Sequence, residues 1–301
     1  MTLAAETVAT GLFIPEGPVA LADGSVLLVE VAGGRLDRVM PDGQIEVVAE
    51  LGGGPNGAAI GPDGLVYVCN NGGSATCELV DGIARVGLDP ARYVGGSIQV
   101  VDLADGRHRT LYRECEGIPL YGPNDIVFDA TGGLWFTDMG RPMGDSHVFG
   151  GLFYAHADGN HISAARRGLL SPNGIGLSPD GGTLYWIDTF TARLWACSIR
   201  APGLLGDDDR VVQTLPGYRM LDSMAVEADG LVCAGTIVAG GITVFDPVAG
   251  TSEHVAIDDP MVTNICFAGA DRRTAWITAA GTGRLLRAEW PRPGLALAFE
   301  A

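Results

Sequence analysis

"SPNGIGLSPDGGTLYWID", residues 171–188, reads as a short strand, a tight Gly-rich turn and a second strand, with the amide of Asn173 just ahead of the first strand. Taken alone this is hairpin grammar, and Asn before Gly is ordinary turn chemistry. The stretch decides the fold because it recurs. "PEGPVALADGSVLLVE" (15–30), "PNGAAIGPDGLVYVCN" (55–70), "PNDIVFDATGGLWFTD" (123–138), "LDSMAVEADGLVCAGT" (221–236) and "VTNICFAGADRRTAWIT" (262–278) repeat the plan. In register with Asn173 they carry Glu16, Asn56, Asn124, Asp222 and Thr263, at successive spacings of 40, 68, 49, 49 and 41 residues.

A period of this size fits one four-stranded blade per copy. Segments 34–50, 96–112 and 240–256 are rich enough in strand formers to supply outer hairpins between copies. The spacing therefore predicts an all-β fold, a six-bladed β-propeller with four-stranded antiparallel blades around a central channel, filling residues 1–301 as one domain. A β-sandwich or two small β domains would not explain one opening position shared by six copies. Only 38 residues follow Thr263, so residues 1–15 are expected to add the outer strand of the last blade. The wide spacing in the second copy places an insertion at 71–96, and a second insertion is expected at 139–151.

Composition agrees with a globular chain of short strands: 301 residues, 47% hydrophobic, 18% charged, 45 Gly and 17 Pro. The net charge of −17 repels phosphate backbones and anionic membrane surfaces, which excludes nucleic acid and membranes as natural partners. All 19 basic residues are Arg, so Schiff-base and lysine-nucleophile chemistry is excluded. Six Cys show no zinc spacing; Cys69 and Cys77 stand close enough in sequence to bridge, but "MTLAAETVATGLFIPEG" has no export pattern, so reduced thiols and a cytoplasmic location are expected. No apolar run reaches the ~18 residues needed to span a bilayer.

Innermost propeller strands run in one direction along the channel, so their first residues meet at one end. Glu16, Asn56, Asn124, Asn173, Asp222 and Thr263 would form a ring in which every member carries oxygen. Burying such a ring needs compensation by water or by a hard cation. Two carboxylates and several amide oxygens without His or Cys match Ca2+, with Mg2+, Mn2+ or Zn2+ as alternatives in the same place. Glu16, Asn124, Asn173 and Asp222 are the expected ligands, with Asn56 and Thr263 as supporting or rim groups.

The set "PEGP" (15–18), "PND" (123–125), "SPNGIGLSPDG" (171–181) and the Asp of "LDSMAVEADG" (221–230) resembles the gluconolactonase and regucalcin (senescence marker protein) family over nearly the whole chain. The resemblance implies a six-bladed propeller, a channel Ca2+ on Glu16, Asn124, Asn173 and Asp222, and hydrolysis of a small-molecule lactone. Sugar-lactonase members of the regucalcin type carry Arg two residues before the third-blade Asn, where this chain has Gly122, so an aldonolactone substrate fits less well than lactone opening itself. A phosphotriester would need the same metal. A strictosidine-synthase-like condensation need not keep the ligand set, and a non-catalytic propeller with a structural metal would present its rim to a ligand.

For hydrolysis, Asp222 is the expected base or nucleophile. No G-x-S-x-G elbow, HExxH or strand-to-helix GxGxxG is present. Ser146 and His147 are adjacent on a strand, where neighbours face opposite ways, so they do not make a dyad. Loops joining second to third strands emerge at the ring end of the channel. Asn56, Tyr121, Met139, Arg141, Met143, His147 and Phe149 are accordingly the expected substrate contacts.

Overall fold

The computed structural model describes residues 3–300; Met1, Thr2 and Ala301 lie outside the described residues. Six antiparallel sheets form a six-bladed propeller. Blade 1 is Pro15–Ala20, Val26–Glu30, Arg35–Val39 and Ile45–Glu50. Blade 2 is Pro55–Ile60, Val66–Asn70, Ser97–Val101 and His108–Tyr112. Blade 3 runs Pro123–Phe128, Gly133–Asp138, Gly150–His156 and Ile162–Leu169, and blade 4 Pro172–Leu177, Thr183–Asp188, Arg193–Ala201 and Arg210–Thr214. Blade 5 is Met220–Val226, Val232–Ile237, Gly241–Asp246 and Thr251–Ala256. Blade 6 takes Val262–Ala268, Thr274–Ala279 and Arg284–Glu289 from the end of the chain and Ala5–Thr10 from its beginning, the latter paired antiparallel with Arg284–Glu289.

Each second strand is sandwiched between the faces of neighbouring blades, which is why Leu27–Val29, Tyr67–Cys69, Leu134–Phe136 and Val232–Ala234 are fully buried on both faces. The fourth strands lie at the rim and alternate or are largely exposed. The core is a set of inter-blade clusters rather than one central mass; Trp135 meets Tyr154 edge to face at 4.8 Å and Tyr67 meets Phe128 at 5.0 Å. All six thiols are free, so Cys69 and Cys77 form no bridge. No helix among the described residues is long and apolar enough to cross a membrane.

Both insertions are β-hairpins between the second and third strands of their blades, where the sequence suggested loops. Ala75–Val80 pairs with Ile83–Leu88 in blade 2, and Arg141–Met143 with Ser146–Val148 in blade 3. The first reaches over blades 6 and 1: Ala84 N–H donates to Gly281 O at 2.8 Å, and Ala75 and Cys77 pack on Ile14, Val31 and Ala280. The second leans toward blade 4, where a His147 ring nitrogen lies 3.1 Å from Leu170 O.

Candidate functional site at the head of the channel

Every innermost strand breaks register just after it begins: between Glu16 and Val19, Pro55 and Ala58, Pro123 and Ile126, Pro172 and Ile175, Leu221 and Met224, and Val262 and Asn264. A bulge at this point re-aims a side chain that regular pleating would send elsewhere. Its recurrence in six blades puts Glu16, Asn56, Asn124, Asn173, Asp222 and Thr263 at or beside a bulge near the start of their strands.

Neighbouring blades are tied together there. A Cβ on Gly57 would stand 2.6 Å from Asn124 O, so blade 2 can approach blade 3 only with glycine there. Asp125 accepts the Ile175 N–H of blade 4 at 3.2 Å, and Thr137 Oγ1 donates to Asn173 O at 2.6 Å. Asn173 Nδ2 donates to Asp222 Oδ1 at 2.7 Å, and Thr263 Oγ1 donates to Pro15 O at 3.0 Å. Asn264 Nδ2 donates to Glu16 Oε2 at 2.9 Å, which also accepts the Gly17 N–H at 2.6 Å.

These bonds leave a remainder. Glu16 Oε1, Asn56 Oδ1 and Asn124 Oδ1 are buried with no hydrogen-bond partner. Orphaned buried oxygens are rare and costly in folded proteins. Three of them in one ring form a donor set suited to a hard cation. Among the described residues no three His, Cys, Asp or Glu side chains are grouped to hold a metal, so a cation at this ring would depend on its amide oxygens. Asn56 matches Glu16 and Asn124 in this respect, whereas the Thr263 hydroxyl is already engaged with Pro15 and Thr278.

The electrostatics point the same way. Burial, then the charges of Asp222 and Asp125, pushes the Glu16 carboxyl well above the usual carboxylate range, against the lowering effect of the Asn264 and Gly17 bonds. Burial raises Asp222 to about 7 despite the Asn173 bond. Burial likewise raises Asp125 to about 7, opposed by N–H groups of Ile126 and Ile175. Three acids at one level, each disfavoured as an anion, are a combination that a bound cation would reverse.

Asp125 and Asn264 follow a ring residue directly, and ring membership alone did not single them out. The last residues of the aligned copies were also missed, although they form a second oxygen-bearing column. Asp138 accepts the N–H groups of Tyr121, Gly122 and Gly140 at 2.7, 2.8 and 2.8 Å and so anchors the blade 3 hairpin beside Asn124. Asn70 accepts Gly54 N–H and Gly72 N–H at 2.9 and 3.0 Å, and Asp188 takes the Ser171 hydroxyl at 2.5 Å.

The expected substrate contacts separate into two groups. Arg141 lies over the Tyr93 ring at 3.4 Å, and Tyr93 donates its hydroxyl to Tyr121 O at 2.9 Å, so a cation–aromatic stack borders blades 2 and 3. His147 and Phe149 are 5.7 Å apart on the blade 4 side. Met139 is half-buried at the hairpin root, and Met143 is exposed at its tip. Ser146 Oγ donates to Met143 O at 2.9 Å while His147 turns to Leu170, so the two make no dyad. Gly122 explains the missing arginine: a Cβ there would lie 2.6 Å from Gly140 O, against backbone.

A cavity of about 1160 Å3 opens at the other end of the channel. Gly17, Asp125 and Asn264 line it, but Glu16, Asn124, Asn173 and Asp222 do not. Donor chemistry rather than volume therefore marks the site.

A β-propeller whose blades turn acids and amides toward one end of the channel belongs to a class that builds its site at the axis. Residues 14–281 match the SMP-30/gluconolactonase/LRE-like region, and the chain belongs to this family. A gluconolactonase of Zymomonas mobilis is 27% identical over 91% of this chain and 78% of its own length. The lactonase drp35 of Staphylococcus saprophyticus is 26% identical over 74% of this chain and 63% of its own. In fold the chain resembles a calcium-binding regucalcin from Agrobacterium tumefaciens, with TM-score 0.77, 19% identity and 99% of each chain covered. A gluconolactonase from Xanthomonas campestris gives 0.75 and 23%, covering 94% of this chain and 88% of that one.

Proposed function

We propose that this chain is a divalent-cation-dependent lactonase whose site is the ring at the head of the channel. The observation that carries the reading is the trio of partnerless buried oxygens on Glu16, Asn56 and Asn124 in a ring that also holds Asp222. The relatives named gluconolactonase and lactonase support the reaction class. Glu16, Asn124, Asn173 and Asp222 would hold the cation, and Ca2+ suits hard oxygen donors with few carboxylates. When bound, the ion supplies Lewis-acid polarisation of the ester carbonyl and a full positive charge near the developing oxyanion.

The chain's own contribution centres on Asp222. Asn173 Nδ2 donates to one oxygen of the carboxylate at 2.7 Å and the Ser223 N–H also reaches it, which orients Asp222 to take a proton from water or to attack the acyl carbon. Asp138 fixes Tyr121, Gly122 and the hairpin root, so the wall beside Asn124 is held by backbone bonds. Proton release from a panel of sugar, alkyl and aromatic lactones, with Ca2+ and after chelation, tests the proposal. Turnover that needs Ca2+ is expected; no turnover in either condition, with no ion bound by the purified protein, overturns it.

A further inference from the structure

The two sides of the ring's mouth differ. Over blades 6 and 1 the Ala75–Leu88 hairpin is packed down on Ile14, Val31 and Ala280. Beside blades 3 and 4 apolar side chains instead stand open: Phe149 is 55% exposed, Phe190 56% and Leu170 36%. The segments that carry them are joined by hydrogen bonds and a ring contact. A His147 ring nitrogen meets Leu170 O at 3.1 Å, its ring is 5.7 Å from Phe149, and Phe190 N–H donates to the hydroxyl of Ser171 at 3.0 Å. Leu170 precedes Asn173 by three residues, at most about 10 Å of chain.

Several polar groups on this side are committed elsewhere, and the Thr189 and Thr191 hydroxyls that flank Phe190, though without partners, are buried away from the surface. Gly122 cannot carry a side chain against Gly140 O, the Arg141 guanidinium is stacked on Tyr93, and the Ser171 hydroxyl is spent on Asp188. A clustered apolar surface next to a polar site marks a ligand that is apolar at one end and polar at the other.

We infer that Phe149, Leu170 and Phe190 form a shelf for the hydrocarbon substituent of the substrate, so that the preferred lactones bear an alkyl or aryl group rather than sugar hydroxyls. This rests on the lactonase reading for the reaction but not for the shelf, which is a binding surface in its own right. The substituent lies across Phe149 and Phe190 while the ester reaches down past Leu170 to Asn173.

The test compares kcat/KM for δ-valerolactone, its 5-pentyl derivative and D-glucono-δ-lactone in the Ca2+-loaded protein, with binding of the matching lactams, which resist opening, measured by calorimetry. Burial of a methylene favours binding by roughly twofold to fourfold. The pentyl lactone is therefore expected to exceed the unsubstituted one by at least about tenfold. Phe149→Ser combined with Phe190→Ser should bring that ratio to within about twofold of unity, and these exposed positions leave the core intact. Val248→Ser, on a fully exposed turn at the far end, should leave the ratio unchanged. A wild-type ratio near one, or faster opening of the gluconolactone, overturns the shelf and leaves the lactonase reading standing. If no lactone is opened, the lactonase reading fails and lactams decide: tighter binding of the pentyl lactam, lost in the double variant, upholds the shelf, and equal binding removes it. Loss of a self-associated form in the double variant with the ratio unaltered would assign the surface to a second copy and overturn the proposal.

Discussion

The two ends of the channel are built by the same six strands and have opposite characters. At the head, the strands carry Glu16, Asn56, Asn124, Asn173, Asp222 and Thr263 within their first three residues, and three buried oxygens lack partners. At the other end the strands leave Val19, Ile60, Phe128, Leu177, Val226 and Phe267 around the large cavity. There the C-terminal segment crosses from blade 5, where Leu295 N–H donates to Val226 O at 2.9 Å, to Phe128, which Phe299 meets at 5.9 Å. One end stores unsatisfied polarity and the other finishes the apolar packing. Chemistry and stability are therefore separable along each strand, divided by the bulge near its start.

Substitutions can break that division. Asp222→Asn should lower kcat/KM by about a thousandfold or more, since a general base or nucleophile contributes at that scale, with the circular dichroism spectrum retained. Gly57→Val places side-chain atoms against Asn124 O and should cost about 1–3 kcal/mol in denaturant unfolding. Glu16→Gln removes a carboxylate from the ring and should weaken Ca2+ binding by about tenfold to a hundredfold in calorimetry, with little effect on folding of the chelated protein. At the other end, Phe299→Ala should cost about 1–2 kcal/mol of stability and leave turnover unchanged; a loss of turnover would erase the distinction between the ends.

The smallest effect is in pH. Asp125 and Asp222 both rise from 3.8 to about 7 in the folded chain, so the folded state holds more protons than the unfolded one between those values. Their contribution to stability is full below pH 4 and is lost as pH rises through 7. In chelated protein Tm should fall by roughly a few degrees from pH 5 to pH 8. Ca2+ should abolish that fall, because the ion favours the anions.

Much of this was legible in the sequence. Six copies of one hairpin match the six blades, and the first column of the alignment names the residues of the proposed ring. The closing column, with Asn70, Asp138 and Asp188, was equally visible and went unread, although the first and last residues of a hairpin must lie side by side; Pro123 pairs with Asp138 and Pro172 with Asp188. Asp125 and Asn264 were hidden for a different reason. Strict alternation would turn a residue next to a ring member away from its neighbour's environment, and only the bulge swings both toward the adjoining blade, a backbone irregularity without a compositional mark. The inserted hairpin had a mark in "CELVDGIARV", a D-G turn between alternating residues. Where it folds over, onto Ile14 and Gly281, depends on contacts distant in sequence.

If the partnerless oxygens of the ring hold a divalent cation, lactone opening depends on that ion. Proton release from a saturating alkyl lactone, followed as Ca2+ is titrated into exhaustively chelated protein, tests it most directly. Release should be negligible at the start and rise to saturate at one ion per chain, with Glu16→Gln shifted to higher Ca2+. Undiminished release from the chelated protein would contradict it.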